Sequence, residues 1–237
     1  MRLDKFLVAT GSCTRSEAKK IVRAGGVTVN GIAAKSSDMT VDENNDVVVF
    51  CGKPVIYRRF TYIMLNKPDG YVSATEDGRE KTVLDLIPPE ARTKGLFPCG
   101  RLDKNTLGLM LITDNGDLAH RLLAPKSHVE KKYRYELKFP LADDEKCTLE
   151  SGTVLDDGYE TKPAKIELDE SRTSGTITLV EGKYHQIKRM FESVNNKITY
   201  LERITFGPLT LAGVPERGNW RYLTEDEIKT LENHGID

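Results

Sequence analysis

The chain has 237 residues, 38% of them hydrophobic and 30% charged, which is enough for one large domain or for a small and a medium one. A formal net charge of −1 carries no sign of nucleic-acid binding by itself, and no apolar run reaches the length of a membrane span. The four cysteines (Cys13, Cys51, Cys99 and Cys147) contain no C-x-x-C pair, which argues against a zinc or redox site and for a reduced, cytoplasmic setting.

The distribution of charge says more than its total. Residues 1–35 hold Arg2, Lys5, Arg15, Lys19, Lys20, Arg23 and Lys35 against Asp4 and Glu17, a local net of +5, whereas residues 36–50 carry four carboxylates and no base. Such asymmetry marks an anion-facing surface. The opening "MRLDKFLVATG" is short and charged, so no signal peptide or anchor is expected. It places Leu3, Phe6 and Leu7 at helical spacing, with Gly11 as a stop. "TRSEAKKIVRAGG" starts a second helix with Thr14 and Glu17 in a capping-box arrangement, buries Ala18, Ile21 and Val22, and ends at Gly25–Gly26. Arg15, Lys19 and Arg23 fall at i, i+4 and i+8, in one row with Lys20 beside it; Arg2 and Lys5 extend it. The row suits phosphates contacted without sequence readout. A merely solvated helix face is the plainer reading, but the hairpin that follows favours the phosphate row. "VTVNGIAAK" alternates around Asn30–Gly31, the residues of a type I′ turn, and "DVVVF" (46–50) reads as another strand. Two helices and a small sheet hold too little core for an enzyme.

"CGKPVIYRRF" (51–60) reads as a linker, so that residues 1–58 form one domain and 59–237 another. In the second domain, strands are expected at 61–68, 71–74, 107–113, 132–139, 164–168, 175–180 and 208–211. Helices are expected at 82–87, 116–123, 141–150, 184–194 and 224–232. Many strands with few helices indicate an α+β fold on a mainly antiparallel sheet. Within it, "FPCGRLDKNTLGLMLITDNGDLAHRL" (97–122) poses a physical question. Asp103 stands where an apolar strand plunges into a core, and a carboxylate there needs a cation to remain ionised. Arg101 is local, but residues two apart in a loop often point apart; Lys188 or Arg189, in "YHQIKRMF", can reach across from another element.

The N-terminal pattern, from "MRLDKFL" to "VTVNG", resembles the S4-like RNA-binding domain. "GRLDKNTLGLMLITDNGDLAHRL", "EKKYRYELK" (130–138) and "EGKYHQIKRMFESVNNKI" (181–198) resemble the bacterial ribosomal-RNA pseudouridine synthases, and the "YHQIKRMF" version is most similar to the branch acting on 16S (small-subunit) rRNA. The resemblance implies a small α/β S4-like domain ahead of a mainly antiparallel-sheet catalytic domain. It also implies that Asp103 is the nucleophile, that Tyr133 is the active-site aromatic, and that Lys188, with Arg189 adjacent, is the basic partner. Arg101 becomes the candidate for holding the neighbours or phosphates of the extruded nucleotide.

The chemistry is coherent with these residue types. Breaking a glycosidic carbon–nitrogen bond and rejoining the base through carbon five needs an ionised carboxylate, and no metal or other cofactor. The base must leave its stack, and a tyrosine face receives any base. Attack on the ribose, attack on the ring and assistance to elimination are all open to Asp103. Without the resemblance, each of these residues also has an ordinary structural role: a loop carboxylate, a packed strand tyrosine, helix-surface bases. Arg203 is expected as a sheet-surface base or an RNA-backbone contact. His120, His128, His185 and His234 lack metal-ligand spacing and read as RNA contacts or satisfied polar residues, and Asp114 lies a strand's length from Asp103, too far to form a glycosidase pair. The expected partner is rRNA or a partly assembled small subunit, bound by a monomer. Alternatives are a synthase acting on 23S rRNA, a non-catalytic assembly factor, or an Asp-nucleophile phosphatase; Asn105 stands where the last would have its second acid.

Overall fold

The computed structural model describes residues 1–43, 45–55, 57 and 59–234. The chain divides into two units, Met1–Arg59 and Phe60–Asp237. The boundary expected at residue 58 falls outside the described residues.

In the first unit, helix α1 (Leu3–Ala9) and helix α2 (Arg15–Arg23) precede strands β1 (Val27–Val29), β2 (Ile32–Ala33), β3 (Val48–Phe50) and β4 (Lys53–Val55), which form a sheet in the order β2-β1-β3-β4. The Thr14–Glu17 capping box is present: the Thr14 N–H donates to the Glu17 carboxylate at 2.8 Å, and the Glu17 N–H donates back to Thr14 Oγ1. Asn30 and Gly31 have φ of 53° and 79°, the two positive values that a type I′ turn requires. Leu3, Phe6, Leu7, Ala18 and Val22 pack against Val27 and Val29 as the core.

The expected linker is partly strand. Cys51 and Gly52 both take positive φ and close a two-residue turn from β3 into β4. Pro54 is tolerated there because β4 is an edge strand, which leaves one side of its backbone unpaired. Residues 56 and 58 of that stretch lie outside the description.

The second unit is built on nine strands: β5 (Tyr62–Lys67), β6 (Phe97–Pro98), β7 (Leu107–Thr113), β8 (Lys131–Leu137), β9 (Lys165–Leu168), β10 (Ser174–Leu179), β11 (Ile198–Phe206), β12 (Leu209–Thr210) and β13 (Trp220–Tyr222). The main order is β13-β5-β7-β11-β8-β10-β9, with β6 beside β7 and β12 beside β11. Every pairing is antiparallel except β7 with β11, where only Leu107 and Gly108 meet Glu202 and Arg203. The helices are α3 (Gly116–Leu123), α4 (Asp143–Ser151), α5 (Gln186–Ser193) and α6 (Glu225–Asn233).

Both faces of the sheet are covered, which explains why β5 and β7 read as continuous apolar runs. Ile63, Leu65, Met110 and Ile112 join one core with Leu149 of α4 and Phe191 of α5. Their neighbours Tyr62, Met64, Leu109 and Leu111 join another with Leu118 of α3 and Leu231 of α6. Among the described residues no helix is long and apolar enough to cross a membrane.

Three expectations are corrected. Residues 71–74 form no strand; Val72 makes a single bridge to Thr82, and the neighbouring Ser73 hydroxyl is spent on the loop that carries Asp103. Residues 82–87 hold a short 3₁₀ turn, Val83–Leu86. Strand β11, central to the sheet, was not expected, because Glu202 and Arg203 interrupt its apolar pattern. Arg203 is accordingly no surface base: it is 2% exposed, and its Nε donates to the carbonyl of Leu109 on β7 at 2.7 Å.

Candidate active site

Asp103 lies in the loop between β6 and β7, at the end of β7 that touches β11. The loop is held by backbone-directed bonds from several elements. Ser73 Oγ donates to the Leu102 carbonyl at 2.7 Å and accepts the Leu102 N–H at 3.0 Å. The Gly70 N–H donates to the Lys104 carbonyl at 3.1 Å. Lys67, at the end of β5, is fully buried and donates to the carbonyls of Pro68, Lys104 and Thr106 at 3.1, 2.9 and 2.8 Å. An ammonium has three protons, and three carbonyls take them.

Burial lowers the Lys67 pKa from 10.5 to about 8, so the group stays protonated at neutral pH, where its three protons meet those carbonyls. In the unfolded chain the lysine keeps its proton up to about 10.5. Between the two values the unfolded state binds more protons, and stability therefore rises with pH. Relative to Lys67→Met, we expect the parent chain to gain about 1–3 kcal/mol as pH rises through this window, read by urea unfolding at about pH 7.5 and about pH 9.5. A difference that stays flat would mean that the ammonium is not desolvated.

The opposite wall comes from elements that follow β7 in sequence. Lys188 on α5 places Nζ 2.6 Å from Asp103 Oδ2 and donates to Asn105 Oδ1 at 2.7 Å. His185, just before α5, brings Nε2 to 3.4 Å from Asp103 Oδ1. Tyr133 on β8 is 8% exposed and lines the same pocket, with Leu102, Leu179, Ile187 and Leu201 as its apolar lining and Arg101 at its edge. Glu181 closes the floor. Burial alone would raise its pKa, but hydrogen bonds from the Tyr159 hydroxyl (2.6 Å), the Lys162 N–H (2.9 Å) and Gln186 (2.7 Å) outweigh this, and the net shift is downward. The pocket thus presents an ion-paired carboxylate beside an aromatic ring and aliphatic walls, a lining that suits one flat, uncharged ring.

Residues 61–193 match the RNA pseudouridylate synthase family model, a span that contains Asp103, Tyr133 and Lys188. The chain belongs to the RNA pseudouridylate synthase family. Residues 1–47 match the S4 domain. Over its whole length the chain is similar to the uncharacterized RNA pseudouridine synthase YtzG of Bacillus subtilis, at 45% identity with 98% of each chain covered. Ribosomal small subunit pseudouridine synthase A of Vibrio cholerae is 40% identical, with 98% of this chain and 99% of that one covered. The Escherichia coli protein of the same name is 38% identical, with 98% and 100% covered. A crystal structure of a pseudouridylate synthase superposes with a TM-score of 0.67 at 35% identity, over 98% of this chain and 99% of that one.

The synthase pocket gathers Asp103, Tyr133, Lys188 and Arg101, but not Arg189. The Arg189 guanidinium turns away to Asp156 and to Asp157 at 2.8 Å, and these carboxylates raise its pKa. The choice of cation between two neighbours is therefore resolved by helix geometry, since adjacent residues on α5 point about 100° apart. Asp114, as expected of a turn residue, accepts hydrogen bonds from the Thr61 N–H and the Thr93 hydroxyl. Reading the sequence missed Lys67, Ser73 and His185. For Lys67 a signal existed, in that "LNKPDG" puts a lysine at the end of an apolar strand, where it is either exposed or paired.

In the S4 unit, Lys5, Arg15, Lys19, Lys20 and Arg23 are all exposed, while Ala18 and Val22 are turned inward. A concavity lined by Arg2, Asp4, Lys5, Arg15, Ser16 and Lys19 joins the two helices. Arg2 precedes α1 rather than lying on it, and its guanidinium grips the buried Asp4 at 2.8 and 3.1 Å. Its charge is thereby largely cancelled.

Proposed function

We propose that this synthase converts a uridine of 16S rRNA to pseudouridine, with Asp103 as nucleophile, Lys188 as its ion-pair partner and Tyr133 as the face that receives the flipped base. The observation that carries the reading is the 2.6 Å pair between Lys188 and Asp103 in a pocket lined by Tyr133. In the reaction the C1′–N1 bond breaks and a C1′–C5 bond forms; a proton leaves C5 and one is gained at N1, so atoms and electrons balance without a co-reactant. Lys188 holds the carboxylate in position through its 2.6 Å contact, and the pinned loop keeps it from relaxing towards water. The uridine leaves its stack to reach the pocket, and Tyr133 with the aliphatic walls replaces the lost neighbours. The names of the Vibrio and Escherichia relatives support small-subunit rRNA as substrate. The test is carbodiimide adduct mapping after purified protein acts on 16S and 23S transcripts, with a single new stop expected in 16S; a stop confined to 23S would overturn the substrate assignment.

The S4 unit supplies affinity through its exposed cations. Changing Arg15 and Lys19 together to Ala should weaken rRNA binding and flatten the slope of log K against log salt by about two phosphate contacts. Binding titrations at several salt concentrations measure this, and an unchanged slope would place the row away from RNA.

A further inference from the structure

One aromatic ring, next in sequence to the pocket residues Lys183 and His185, has no task in the reaction just described. Tyr184 is 70% exposed. A lone exposed tyrosine needs no explanation, but this one is stacked on its neighbour and its backbone is tied down. Its ring stacks on His185 with centroids 3.8 Å apart and planes 18° from parallel. His185 takes a left-handed backbone, with φ of 48°, and so departs from the helix expected over 184–194; that conformation is costly for a residue with a side chain and persists where surroundings impose it. The surroundings are visible. Arg189, fixed by Asp156 and Asp157, donates to the Tyr184 carbonyl at 3.3 Å, and the Lys183 N–H donates to Gln186 Oε1 at 2.9 Å. The result is a chain of contacts that runs from Asp103 through His185 Nε2, at 3.4 Å, to the exposed ring of Tyr184, whose sequence neighbours Lys183 and His185 line the pocket.

We infer that Tyr184 is a stacking platform for the nucleobase flanking the flipped uridine, with His185 as the positioning residue that ties the platform to Asp103. The inference rests on the function proposed above. When a uridine turns out of an RNA helix, the base beside it loses a stacking partner. An exposed aromatic ring stacked on a pocket-lining residue supplies a replacement that suits any base. Preorganisation is what makes it effective, since a ring already held in place loses little entropy on binding.

The experiment uses an RNA hairpin cut around whichever rRNA uridine the mapping identifies, with the full-length protein. Tyr184→Ala should lower kcat/KM about tenfold, mostly through KM, whereas Tyr184→Phe and Tyr184→Trp should stay within about threefold of the parent. An abasic nucleotide on one side of the target should cost the parent about tenfold and Tyr184→Ala less than about twofold, because the two changes remove the same contact. Equal abasic penalties in both proteins at both flanks would overturn the inference, as would a Tyr184→Ala variant as active as the parent or a Phe variant as impaired as Ala. If the parent forms no pseudouridine in either rRNA, the proposed function itself fails and the inference falls with it; additive penalties in an active parent overturn the platform alone.

Discussion

Replacing Asp103 with Asn should abolish pseudouridine formation while leaving RNA binding intact. The two side chains have the same shape, and an amide oxygen still accepts from Lys188 Nζ, which sits 2.6 Å from Asp103 Oδ2. The bonds that pin the loop run to backbone atoms of Leu102, Lys104 and Thr106, so the substitution does not touch them. What disappears is the carboxylate, the group to which the proposed function assigns the nucleophilic step. We expect a loss of at least about 10³-fold in rate, read as absence of the carbodiimide stop on rRNA. Affinity should stay within about threefold, or rise slightly, because a polyanion no longer meets a carboxylate. A strain carrying only this variant whose rRNA is still modified would remove Asp103 from the chemistry. Loss of binding together with activity would instead favour a structural role for the carboxylate.

What could be read from the sequence was what is local. The Thr14–Glu17 cap, the Asn30–Gly31 turn and the buried strand after Asp103 each depend on residues a few positions apart, and each is found in the structure. Physical reasoning on Asp103 demanded a cation but left Arg101, Lys188 and Arg189 open. The partner lies 85 positions away, and only the family resemblance or the folded chain can choose it. The same distance effect hid β11. Arg203 looks like a surface residue until Leu109, 94 positions earlier, offers its carbonyl. Lys67 is comparable: its acceptors at Lys104 and Thr106 are 37 and 39 residues away. Cys51–Gly52 was a different failure, a local turn concealed because cysteine is not a usual turn residue.

These long-range groups share a location, and Gly108→Ala is the substitution that exposes its importance. The sheet has two halves, β13-β5-β7 and β11-β8-β10-β9, whose backbones pair, among the described residues, where Leu107 and Gly108 face Glu202 and Arg203. Asp103 belongs to the first half, whereas Tyr133 and Lys188 belong to the second, so the pocket that gathers them exists only while the halves are in register. Arg203 stitches them through Leu109, and Arg217 does so by bonding Asn66 on β5 together with Glu202 and Tyr200 on β11. Gly108 has φ of 98°, and a Cβ there would lie 2.2 Å from the Arg203 carbonyl oxygen and 2.9 Å from its nitrogen. Backbone cannot swing aside as a side chain can, so the strands must part. We expect a loss of more than about 3 kcal/mol, a fall in Tm of roughly 6–12 °C, and activity that drops further than the folded fraction does. Gly100→Ala is the control. Gly100 also has positive φ, at 86°, but its added methyl would meet only the far end of the Leu123 side chain at 2.9 Å, so a cost of about 1–2 kcal/mol is expected. If both variants melt alike, backbone strain alone explains them and the seam has no special role. If Gly108→Ala alone collapses, the glycine that lets two half-sheets touch is also what brings Asp103 to Lys188.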